Sequence, residues 1–263
     1  MLVGCALTTP APAGPLRPGD ATQIETAWAF AYGRASATVN GAVVTGNGQA
    51  QVEGRPAKGD PIPTLPDPVP LTVGVRQVLR GSLEASGDLG WMDSGVGLRG
   101  RVPYLDREAL PLVVGAGLRT GKISAFASDT YEGSLAIETY PRIAPLRYPS
   151  WRLILSLGVT GGIFQHQLLL PEAYDSDSDA PQGPPTVVVL RRELRLQTAV
   201  GVYLGGERRG LAITLAPWIL LGASAPNSIK CGACNGVTSI ANFSQTWGLA
   251  LVVAPSYAWA HGG

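Results

Sequence analysis

The sequence predicts an all-β fold, an antiparallel up-and-down transmembrane β-barrel of about ten strands, with eight as the alternative count. Three observations predict it. From Phe243 to Trp259 the large residues Phe243, Trp247, Leu249, Leu251, Val253, Tyr257 and Trp259 fall on every second position, and those between are mostly small and uncharged. A period of two means an extended strand with one apolar face and one cramped face. Nine further segments read the same way with their charges on the cramped side, which is how a barrel looks with lipid outside and a narrow, filled lumen inside. Finally, charged residues are only 15% of the chain and glycines number 34. That is too little charge for a disordered chain and too much glycine for a helical one.

Taken in order, the strands are expected at about 22–34, 71–80, 83–91, 95–104, 110–121, 131–140, 151–167, 187–204, 211–223 and 243–260. The first sets Ile24, Trp28, Phe30 and Tyr32 outward against Gln23, Glu25 and small alanines. In the second, Leu71, Val73, Val75 and Leu79 oppose Arg76 and Arg80, and in the third Leu83, Leu89 and Trp91 oppose Glu84, Ser86 and Asp88. The fourth opposes Val96, Leu98, Val102 and Tyr104 to Arg99 and Arg101, the fifth Leu112, Val114 and Leu118 to Arg119, and the sixth Leu135 and Ile137 to Glu132 and Glu138. Leu153, Leu155, Leu157 and Val159 of the seventh oppose Arg152 and Ser156, while Leu194, Leu196 and Val200 of the eighth oppose Arg191, Glu193 and Arg195. The ninth is interrupted by Pro217, which removes a ladder hydrogen bond and calls for a bulge. Arg34 and Arg192 are the charges left on the apolar face, both near strand ends.

Connection lengths agree. The gaps 35–70, 122–130, 168–186 and 224–242 are long and most of the others short, as when outer loops alternate with short periplasmic turns. Aromatics then sort into two belts at headgroup level: Tyr32, Trp91 and Trp247 on the outer side, Tyr104, Trp151, Tyr257 and Trp259 on the inner. The longest uncharged run, 231–260, is broken by Gly, Ser, Asn, Thr and Pro and has strand rather than helix periodicity, so no transmembrane helix is expected. A chain that crosses lipid without helices must close its sheet, because every backbone group needs an internal partner. A water-soluble, lipocalin-like barrel would instead reverse the two faces.

Leu2-Val3-Gly4-Cys5 resembles a bacterial lipobox and makes Cys5 a lipidation site, although neither a basic nor a long apolar segment precedes it. Ala6 after the cysteine favours export to the outer membrane. Residues 1–21 read as lipobox remnant and flexible linker, rich in Thr, Pro and Ala, and residues 22–260 as a single barrel domain. The lipobox, then Leu16-Arg17-Pro18-Gly19-Asp20, then the run from Val75-Arg76 to Leu83-Glu84-Ala85-Ser86-Gly87 resembles uncharacterised proteobacterial outer-membrane β-barrel lipoproteins. In those a G-[VL]-R strand passes through a short turn into L-E-x-G. The resemblance implies fold, a Gram-negative outer-membrane location, lipid and the barrel-assembly machinery as partners, and no activity. The ending His261-Gly262-Gly263 departs from the usual terminal aromatic.

Few constellations suggest chemistry. Cys231 and Cys234 form a C-x-x-C in loop-like sequence with no second ligand pair, which reads as a local disulfide rather than zinc or redox chemistry. Asp175, Asp177 and Asp179 alternate as in a calcium loop, but Ala180 and Thr186 stand where the turn glycine and bidentate glutamate belong. His166 is the one strand histidine, and with Asp175 or Asp177 it would imitate a rim hydrolase. The interior charges Arg76, Arg80, Arg99, Arg101, Arg119, Arg152, Arg191 and Arg195 face Glu25, Glu84, Asp88, Glu132, Glu138 and Glu193. Planar guanidinium forks suit buried carboxylates, and a ten-strand barrel is narrow enough for side chains to fill. The expectation is an outer-membrane barrel lipoprotein with a structural or surface-interaction role and no catalysis, no cofactor and no metal. Its alternatives are a narrow anion-leaning pore or small-ligand-binding barrel and a rim hydrolase using His166. The net charge of +1 gives no reason to invoke nucleic acid.

Overall fold

A computed structural model of the chain describes residues 21–39, 42–46, 50–52, 68–80, 83–89, 93–102, 112–122, 129–143, 151–169, 186–206, 208–225, 228–232 and 240–260. Its elements are strands: β1 (Ala21–Val39), β2 (Ala42–Gly46), β3 (Ala50–Val52), β4 (Pro68–Arg80), β5 (Leu83–Leu89), β6 (Asp93–Arg101), β7 (Leu112–Lys122), β8 (Asp129–Thr139), β9 (Arg152–Leu169), β10 (Thr186–Gly205), β11 (Arg209–Ala223), β12 (Ser228–Gly232) and β13 (Ile240–Ala260). Strands β1, β4 to β11 and β13 pair antiparallel in sequence order, and β13 pairs back onto β1 from Ala21↔Ala260 to Val39↔Ile240. The sheet closes as a ten-stranded barrel, which decides against eight. Strands β2, β3 and β12 were not expected. They are short and lie inside segments read as loops; β2 and β12 pair onto the parts of β1 and β10 that outrun their barrel neighbours, and β3 pairs onto β2.

The faces follow the alternation. Leu89 (69% exposed), Leu118 (67%), Val96 (61%) and Leu135 (60%) point out of the barrel, together with Ile137, Leu157, Leu194 and Leu215. Arg76, Glu84, Arg99, Glu132, Glu138, Arg191, Glu193 and Arg195 are buried within it. A soluble barrel would show the reverse. Trp247 and Tyr257 are exposed as the belt reading requires, and Tyr257 sits beside Trp259 with ring centroids 6.3 Å apart. Pro217 pairs with Leu249 in an unbroken register between β11 and β13. The one irregularity of β11 falls instead against β10, where Leu194↔Gly222 gives way to Arg195↔Leu220.

One expected face is corrected. Phe243 does not share the outward face of Trp247 and Leu251; it is buried, as is Gln245. Between the pairs Gly33↔Gly248 and Ala35↔Gln245, β13 advances by one residue more than β1. Such a bulge reverses the alternation beyond it and turns Phe243 inward.

The wall is uneven in height. Strands β5 to β8 run 7, 9, 11 and 11 residues, whereas β9, β10, β1 and β13 run 18, 20, 19 and 21. About 9–11 tilted residues cross a bilayer core. The extra length lies at the end away from Ala21 and Ala260, and at roughly 3.3 Å per residue it raises the long side about 20 Å above the short side. Below this rise, one half of the lumen is apolar: Val113, Tyr140, Ile154, Tyr203, Ala212 and Ala254 pack in one cluster, and Ala199, Ala216 and Ala250 in another. The paired charged side chains lie on β1, β4, β5, β6, β7, β8 and β10, and Tyr140 belongs to both the apolar cluster and the charged network.

Candidate functional site in the barrel lumen

Because inward positions repeat every second residue, neighbouring strands bring their charges side by side. Arg76 on β4 donates through Nε and Nη2 to both carboxylate oxygens of Glu25 on β1, each at 2.8 Å, and reaches Glu84 on β5 at 3.3 Å. Arg99 on β6 donates to the same Glu84 at 3.1 and 2.9 Å, and through Nη1 to Glu138 on β8 and the Tyr140 hydroxyl, both at 3.0 Å. Tyr140 in turn donates to Glu138 at 2.5 Å. Three carboxylates and two guanidiniums thus form one chain across the lumen, and the Tyr140 hydroxyl helps to hold the charge left over. Beside this chain Thr22 donates to Gln77.

Two further groups lie toward the raised end. Arg119 on β7 pairs with Asp88 on β5 at 2.5 Å. On β10, Arg191 and Arg195 flank Glu193, with Nε to oxygen distances of 2.7 Å each, and the Glu193 side chain is fully enclosed. The Arg195 guanidinium is sandwiched between the rings of Phe164 at 3.7 Å and Trp218 at 3.9 Å, so cation–π attraction holds it from both faces. Trp218 reaches this position by lying flat over Gly248, where a Cβ would fall 2.3 Å from the indole nitrogen. Arg191 also donates to the backbone oxygens of Phe243 and Gln245 at 3.4 and 3.3 Å, beyond the last β11 partner of β13. It stands where a ladder strand would otherwise be.

Between the Arg99 and Arg119 groups lies a cavity of about 90 Å³, bordered by Glu132, Ser134, Glu138 and Thr160 and by the glycines of β6 and β7. That is room for roughly three waters. Arg152 lies opposite Tyr203 toward the Ala21 end, with Arg101 close enough to it to repel, and both are half-buried. Arg80 ends β4. Phe164, Trp218 and Tyr140 escaped notice as site residues, although strand parity places Phe164 and Trp218 inward beside Ile163 and Ile219.

Several expected features lie outside the described residues: Cys5, Cys234, the acidic run 175–179 and the side chain of His166. The backbone of Cys231 lies in β12, opposite Val187, and that of His166 in β9, opposite Val189. Among the described residues no group of three His, Cys, Asp or Glu is placed to hold a metal ion.

No family model matches the chain, and neither does any curated protein. Among solved structures it is similar to the outer membrane protease OmpT from Escherichia coli, at 9% identity and a TM-score of 0.45, over 93% of this chain and 99% of that one. That neighbour is an enzyme. The expectation that this barrel has no catalytic function is corrected accordingly and goes no further.

Proposed function

We propose that this chain is an integral β-barrel of the Gram-negative outer membrane, tethered by lipid at Cys5, whose raised wall presents a working face outside the bilayer. The observation that carries this reading is the sorting of the described wall: large apolar side chains exposed around the barrel, ionic pairs closed inside it, with Arg192 on β10 an exception as an exposed charge. Lipid is the solvent that makes such a surface stable. The packed layer of Val113, Tyr140, Ile154 and Tyr203 argues against an open pore. A structural or surface-interaction role fits a solid barrel with a tall outer rim.

The test is extraction and gel mobility of the purified chain. An unheated sample should migrate apart from a boiled one and resist carbonate; identical migration with release by carbonate or salt would overturn the reading. Palmitate labelling lost in Cys5→Ala, expressed with its upstream leader, would support the tether, and labelling that survives would remove it. A second reading, hydrolysis at the rim, draws support from the place of His166 in the raised part of β9. Loss of a peptidase or esterase activity in His166→Ala would favour it, and unchanged activity would exclude His166.

A further inference from the structure

We propose that the barrel end bearing Ala21 and Ala260 carries an oxyanion site formed by Arg142 and Arg152, which takes a phosphate-type group. The two arginines are partners in an isolated antiparallel bridge just beyond β8, steadied by the hydrogen bonds Leu153 N–H to Pro141 oxygen at 2.9 Å and Ile143 N–H to Trp151 oxygen at 3.4 Å. Residues directly opposite each other send their side chains to the same face, and like charges placed so repel. Arg101 is a third positive group facing Arg152. The Glu138 carboxylate accepts from Arg99 and from Tyr140 through its Oε2.

Among the described residues, therefore, positive charge is crowded here without matching negative charge. Among the described residues no carboxylate pairs with Arg142 or Arg152, and the Nη1 atom of Arg152 is closed off from solvent without an acceptor. Interior arginines elsewhere in this barrel are matched by carboxylates, as Arg76 is by Glu25. An oxyanion lying between two guanidinium forks would relieve the repulsion and accept their N–H groups in the bidentate manner that phosphate favours. Both inorganic phosphate and a phospholipid headgroup offer this chemistry. The site depends on the closed barrel but not on the membrane around it.

The experiment follows thermal unfolding of the whole chain in neutral detergent, titrated with sodium phosphate and with sodium chloride at matched ionic strength. Phosphate should raise the Tm by several degrees where chloride does not, since a ligand of the folded state stabilises it by mass action. Arg142→Gln, at an exposed position, should raise the Tm in phosphate-free buffer by removing the repulsion, and should abolish the phosphate response. Arg152→Gln should also abolish it. Micelles doped with phosphatidylglycerol, compared with phosphatidylcholine, separate the sources: a rise with phosphatidylglycerol alone, lost in Arg142→Gln, assigns the headgroup. A rise with inorganic phosphate alone assigns the free anion. Equal responses to phosphate and chloride without any effect of phosphatidylglycerol would overturn the site, as would an undiminished response in Arg142→Gln. Carbonate extraction is read separately, so failure of the membrane assignment would not be mistaken for failure of the site.

Discussion

Replacing Arg99 by alanine tests the interior network at its centre. Arg99 makes two hydrogen bonds to Glu84, one to Glu138 and one to Tyr140. Without it, Glu84 retains the 3.3 Å contact with Arg76, and Glu138 retains the Tyr140 hydroxyl. Breaking a buried ion pair from one side typically costs about 3–5 kcal/mol, because the abandoned charge stays desolvated. The two surviving donors, and water entering the neighbouring cavity, place the expected loss at the low end, about 3 kcal/mol. Arg119→Ala should cost less, about 1.5–2 kcal/mol: it breaks the pair with Asp88, in which the side chains are less deeply buried, 10% and 14% exposed. Urea titration in liposomes, following the heat-modifiable band, measures both. A loss of about 3 kcal/mol changes the folding equilibrium by roughly 150-fold. A closed ionic network centred on Arg99 is refuted if Arg99→Ala stays within about 0.5 kcal/mol of wild type, or if Arg119→Ala proves the more damaging of the two.

The other predictions address the wall and the aromatic sandwich. Leu135→Arg, at a position 60% exposed on the outer face, should cost about 2–4 kcal/mol of folding into liposomes; in water the same change would stay within about 0.5 kcal/mol, and that smaller loss in liposomes would contradict the lipid-facing assignment. Gly162→Ala would put a Cβ 2.0 Å from the Tyr131 carbonyl oxygen. It should lower the urea midpoint by the equivalent of about 1–3 kcal/mol as β8 and β9 move apart; an unchanged midpoint would refute the close approach. Arg195→Lys keeps the charge but not the flat fork held between Phe164 and Trp218, so stability should fall despite the conserved charge, and full rescue by lysine would rule out a role for stacking.

Most of the barrel was legible because lipid outside and charge inside force a strict alternation on each strand. Leu135, Ile137 and Leu157 declare one face while Glu132, Glu138 and Arg152 declare the other, and a shift by one residue would place carboxylates in lipid. Phe243 was misread because a bulge leaves no mark in a periodic pattern: the residues on both sides of it still alternate, only with opposite sense. Strands β2, β3 and β12 were missed for a different reason. A strand such as Ala50–Val52 is too short to display a period and owes its form to a longer neighbour already in place. The interior charges were recognisable by type, but not their pairing. Which carboxylate meets Arg99 depends on strand stagger, and Glu138 reaches it from β8, two strands away from β6. The stacking of Arg195 on Trp218 likewise needed the barrel's curvature to bring β9, β10 and β11 together.

The seam between β1 and β13 has a consequence for how the chain reaches this state. Every other ladder of the barrel joins strands adjacent in order, so each hairpin can form on its own once its turn has closed. The seam joins Ala21 to Ala260, the two ends of the described chain. Closing a loop of that length costs on the order of 3 kcal/mol more chain entropy than closing a ten-residue turn. Contacts so distant in sequence form late, which makes the seam the last ladder to zip. Until it does, β1 and β13 are open sheet edges nearly twice as long as a bilayer crossing requires, each able to pair with another molecule. The slow step of assembly, and the moment of greatest exposure to aggregation, therefore falls at the meeting of the first and last strands.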